Sequence, residues 1–73
     1  MYYKLVEIIE FDANFQMFSN EKIKAVVMAN DINEAKVWFD TFVRIGLISS
    51  IKPSTEIKEA NKDEYLEFLE YLK

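Results

Sequence analysis

Residues 26–46, VVMANDINEAKVWFDTFVRIG, decide the fold. The stretch opens as an apolar run, passes through Asn30-Asp31, and continues with apolar residues at helical spacing. Asp31 stands as an N-cap with Glu34 three residues on, the spacing of a capping box. In that arrangement each side chain satisfies a backbone N–H that the first helical turn leaves unbonded. Ile32, Ala35, Trp38, Phe39, Phe42 and Val43 form one wide apolar face, with Asn33, Lys36, Asp40 and Arg44 opposite. Gly46, the only glycine, falls where a left-handed residue ends a helix. These signals predict a helix over about 31–45.

Working back toward the N-terminus, residues 2–11, YYKLVEIIEF, are β-branched and aromatic and read as a strand. Neither of its faces is cleanly polar. Asp12-Ala13-Asn14 supplies turn chemistry. Phe15-Gln16-Met17-Phe18 reads as a short second strand and Ser19-Asn20-Glu21 as a turn. Ile23, Ala25, Val27 and Ala29 then alternate with Lys22, Lys24, Val26 and Met28 in a third strand. The alternative joins 15–29 into one long, bent strand. Beyond the helix, Leu47-Ile48-Ser49-Ser50-Ile51 reads as a fourth strand, broken by Pro53-Ser54-Thr55. Asn61 and Glu64 repeat the capping spacing ahead of a second helix, about 62–72, which packs Tyr65, Leu66, Phe68, Leu69 and Leu72. The expected order is β-β-β-α-β-α. The expected architecture is a single compact α+β domain spanning 1–73, a small, mainly antiparallel sheet of three to four strands with both helices on one face.

The stretch VVMANDINEAKVWF is similar to a strand, Asn/Asp cap and Glu-Ala helix opening found in many short bacterial and phage proteins. It covers about a fifth of the chain and carries no specific function. Eight Lys against one Arg, with abundant Phe, Tyr, Ile and Asn, is the bias of AT-rich codons, pointing to a low-GC bacterium, its phages or its mobile elements.

Composition removes most site chemistries. The 73 residues include no Cys and no His, one Gly and one Pro. Disulfides, thiolate or imidazole metal sites and His- or Cys-based nucleophilic triads are therefore excluded. With Gly46 alone, no glycine-rich phosphate cradle can form. Asp12-x-Asn14-x-Gln16 begins like a calcium loop, but Met17 replaces the required Gly and Ile23 the required Glu. Ser49 or Ser50 with Lys52 lacks an oxyanion turn, and Glu7 is the one acid inside an apolar strand. The expectation is a protein without catalytic residues, cofactor or metal. No apolar run reaches the roughly 20 residues of a membrane span, and Met1-Tyr2-Tyr3-Lys4 lacks the basic n-region and apolar h-region of a secretory leader, so a cytoplasmic location is expected, that of the host if phage-encoded.

Thirteen acidic and nine basic residues give a net charge of −4. That lacks the phosphate-neutralising excess of a nucleic-acid binder. The acid is uneven: residues 1–52 hold six basic and seven acidic side chains, residues 53–73 three and six. Asp63, Glu64, Glu67 and Glu70, with Tyr71 among them, mark the last helix as a surface for a protein partner with a basic face. A second candidate is the apolar reverse side of the sheet, Tyr2, Val6, Ile8, Val26 and Met28, as the interface of a homo-oligomer. The functional expectation is a small non-enzymatic interaction protein, in the manner of a phage or mobile-element inhibitor of a host nuclease or defence system. The alternative is a self-assembling structural module.

Overall fold

The computed structural model describes the backbone of residues 1–13 and 16–73, and the side chains of 1–9 and 20–73. Five elements follow in the order β1 (Tyr2–Ala13), β2 (Gln16–Met28), α1 (Ile32–Arg44), β3 (Thr55–Ala60) and α2 (Lys62–Tyr71). The sheet is antiparallel with β1 in the centre, β2 on one side and β3 on the other. The small α+β architecture is the expected one. Three details differ. Residues 16–28 are one long strand, the alternative reading of that stretch. The C-terminal strand is Thr55–Ala60 rather than 47–51, which belongs to the connection between α1 and β3. Asp12 and Ala13, expected in a turn, instead close β1 in pairs with Met17 and Gln16, while Asn14, Phe15 and the side chains of 10–19 lie outside the described residues.

Helix α1 ends as its sequence requires. Asp31 Oδ1 accepts from the Glu34 N–H at 2.8 Å. The Glu34 carboxylate takes a bond from Asn30 Nδ2 at 3.1 Å instead of returning to the cap backbone. At the other end Gly46 has φ +76°. Its N–H bonds Val43 O at 3.1 Å, and Leu47 N–H bonds Phe42 O at 2.9 Å. That pair of reversed bonds is the Schellman closure, which needs a left-handed residue at this position.

Strand alternation sorts β1 into two rows. Tyr3 and Leu5 point to one face, where Val27, Ala25 and Ile57 lie opposite them or directly alongside. This face meets Ala35 and Phe39 of α1 and, with Ala29, forms the core; Phe42, Ile48, Ile57 and Phe68 pack around it half-buried. Phe39 is fully buried and contributes roughly 1.5–3 kcal/mol by transfer from water. The opposite row holds Tyr2, Lys4 and Val6. Helix α2 reaches both rows. Phe68 joins the core cluster and approaches the Phe42 ring at 6.4 Å, while the Tyr65 ring stands 5.2 Å from Tyr2 and Glu64 meets Lys4 at 2.8 Å.

The ladder between β1 and β2 slips once. Leu5 pairs with Ala25, but Val6 pairs with Ile23, so β2 carries one extra residue, a β-bulge at Lys24. Simple alternation assigns Ile23 to the same face as Ala25 and Val27. The bulge moves it to the row of Val6, where it is 45% exposed. No described helix is long and apolar enough to cross a membrane.

Candidate functional site

The capping box of α2 is complete. Asn61 Oδ1 accepts from Glu64 N–H at 2.8 Å, and Glu64 Oε1 accepts from Asn61 N–H at 3.2 Å. This fixes the first turn and so the direction of every side chain after it. Asp63, Glu67 and Glu70 follow at intervals of four and three and share one stripe, with Tyr71 beside Glu67.

The five acidic-helix candidates divide into four and one. Asp63, Glu67, Glu70 and Tyr71 are exposed, Tyr71 at 83%. Glu70 pairs with Lys73 at 3.2 Å in open solvent, a contact of little energetic weight. Asp63 and Glu67 make no ion pair among the described residues. Glu64 is different. Its carboxylate serves the capping box and takes the Lys4 ammonium at 2.8 Å in a partly buried setting. The hydrogen bond from Lys4 holds its pKa below the usual carboxylate value, opposed by desolvation and helped by the Asn61 backbone N–H. Glu64 thus secures the helix to the sheet, and its charge is already matched.

The reverse-face candidates separate in the same way. Val6 and Val26 are closed inside the chain, at 0% and 1% exposure. Tyr2 is half-buried against Tyr65, Ile8 is half-buried, and only Met28 is well exposed. A continuous interface of these five is therefore not available on the folded chain, because its centre is already filled.

The ground beside the acidic stripe has no signature in the residue spacing. A groove of about 390 Å³ runs between β2 and α2. Glu67 and Tyr71 form one wall, Lys22 and Lys24 the other, and Ile23 and Leu47 contribute apolar surface at 45% and 40% exposure. The signal was hidden because only the bulge turns Ile23 outward.

Glu7 and Ser49 belong to one cluster with Lys24 and Lys52. Glu7 lies between Lys52 at 3.3 Å and Lys24 at 3.6 Å. Its pKa is lowered, first by the Lys52 hydrogen bond. Lys24 Nζ also donates to Ser49 Oγ at 3.0 Å. The cluster ties the 45–54 connection to the sheet.

No protein-family model matches the chain, and neither curated proteins nor solved structures show a significant similarity to it.

Proposed function

We propose that the chain is a non-enzymatic interaction protein that binds a protein partner through the outer face of α2. One observation carries this reading: α2 buries none of its residues completely, yet it presents Tyr71 at 83% exposure beside Glu67, on the stripe that Asp63 begins. Leu66 and Leu69 on the same helix and Leu72 at its C-cap are 46%, 38% and 41% exposed. Carboxylates with an aromatic residue suit a partner that offers Lys or Arg around an apolar spot. The charges steer encounter and set orientation, and the aromatic supplies buried area. The Ile23–Leu47 groove extends the contact past the helix.

Size, acidity and the lack of His and Cys support a stoichiometric role. A phage or mobile-element inhibitor directed at a host nuclease or defence protein is the form we favour. Affinity capture from a low-GC bacterial lysate, at low and high salt, tests the site. The double variant Glu67→Lys/Glu70→Lys is expected to lose the salt-sensitive partners that the parent chain retains. An identical set of captured proteins would remove α2 from the interface. The self-assembling alternative is favoured by a separate feature, the free edge of β3.

A further inference from the structure

β3 is a terminal strand: one side of its backbone pairs with β1, and among the described residues no strand pairs with the other. Ile8 N–H bonds Ser54 O at 3.0 Å, and residues 8 and 54 are directly opposite in the continued β1–β3 register. In an antiparallel ladder hydrogen-bonded and non-hydrogen-bonded pairs alternate. Ser54, Glu56, Lys58 and Ala60 therefore turn their backbone groups toward β1, and Thr55, Ile57 and Glu59 turn theirs outward. Thr55 agrees: its N–H bonds Lys52 O at 3.0 Å rather than anything on β1.

Only a few antiparallel registers let a second β3 match outward groups to outward groups. Placing Glu56 opposite its own copy sets like charges face to face, as does Lys58 or Glu59 opposite itself. Placing Ile57 on the dyad does the reverse. Each Glu56 then stands across from the Lys58 of the other copy, twice over by symmetry, so that Lys58, whose ammonium bonds Glu21 within its own chain, gains a second carboxylate. Ile57 meets Ile57, and Thr55 faces Glu59. Four backbone hydrogen bonds form: two across the Ile57 pair, and two from Glu59 N–H to Thr55 O.

Apolar surface adjoins this edge on the side of α1. Ile32 and Ile51, 42% and 46% exposed, line with Ile57 an open cleft of about 480 Å³. A two-fold axis normal to the sheet keeps the same face up in both copies, so the two clefts meet at the dyad. The other terminal strand, β2, is a poorer template because its bulge breaks the regular spacing of its edge.

We propose that two copies of this chain join through β3, antiparallel and with Ile57 on the dyad, into a continuous six-stranded sheet. This dimer is independent of the α2 reading and leaves Asp63, Glu67 and Tyr71 outside the strand pairing.

Sedimentation equilibrium over a concentration series, with circular dichroism to verify folding, tests it. The parent chain is expected to reach the mass of a dimer. Glu59→Pro removes an outward N–H and leaves the bonds to β1 intact, so it should sediment as a folded monomer. Glu56→Lys and Lys58→Glu should each weaken association by roughly tenfold through two like-charge pairs. The combined Glu56→Lys/Lys58→Glu chain should recover it. A parent chain that stays monomeric overturns the proposal, as does a Glu59→Pro chain that still dimerises. A charge-swapped chain no tighter than either single variant overturns the register. Glu67→Lys/Glu70→Lys should leave the mass unchanged while changing partner capture, which separates this proposal from the preceding one.

Discussion

The two helices begin alike and end in different places. Asp31 and Asn61 each accept from the N–H three residues on, at the same 2.8 Å, and α2 has the more complete capping box. Yet α1 buries Ala35 and Phe39 in the core, whereas α2 buries nothing fully. Capping decides where a helix starts. How much of the fold depends on that helix is decided by the area it covers. α1 belongs to the body of the protein, and α2 rests on it with much of its apolar surface facing solvent.

That contrast can be broken most directly at Phe39. Phe39→Ala should lower the unfolding free energy by about 3–5 kcal/mol, most of the stability of a chain this short. A cooperative urea transition near the parent midpoint would refute the central role given to α1. The caps sharpen the comparison. Asn61→Ala should cost about 1 kcal/mol and speed amide hydrogen exchange within 62–71, leaving 32–44 protected. If exchange rises equally in both helices, α2 is not the separable element described above.

Acid provides a third, smaller lever. The carboxyls of Glu64 and Glu7 have lowered pKa values in the folded chain, through Lys4 and Lys52 first. Their contribution is present above the ordinary carboxylate range and is lost as pH falls through their folded-state values. The urea midpoint should therefore fall between about pH 7 and about pH 3, and Glu64→Gln should make that fall shallower. An unchanged slope in Glu64→Gln would show that the Lys4 pair adds nothing. The smallest effect belongs to Glu67→Lys/Glu70→Lys, expected to shift stability by no more than about 0.5 kcal/mol, since neither side chain is packed. A larger loss in thermal or urea unfolding would mean the stripe supports the fold.

Much of this frame was legible in the residues. The predicted 31–45 helix is Ile32–Arg44 with its Gly46 closure, and the predicted 62–72 helix is Lys62–Tyr71. These were readable because caps and helical periodicity are local. The sheet was less so. Leu47-Ile48-Ser49-Ser50-Ile51 has strand composition but follows a helix terminus, and its chain is drawn across the sheet by Ile48 packing and the Ser49 and Lys52 contacts. Thr55–Ala60 reads as polar because an edge strand need bury only Ile57 and parts of its neighbours. Site residues followed the same division. The exposed stripe of α2 follows from spacing alone. The matching of Glu64 by Lys4, sixty residues earlier, and the burial of Val6 and Val26 depend on tertiary contacts that spacing does not encode.

The bulge at Lys24 ties strand length to strand facing. β2 spends one residue more than β1 between the pair Leu5–Ala25 and the pair Val6–Ile23. Loss of Lys24 alone would restore an even ladder and leave every other partner opposite its present one, forfeiting only the contacts to Glu7 and Ser49. Loss of Val26, two positions away, would exchange inside for outside along the adjoining stretch. Over evolutionary time, a chain of this kind can absorb a one-residue length change in β2 at that joint and has little room for one beside it.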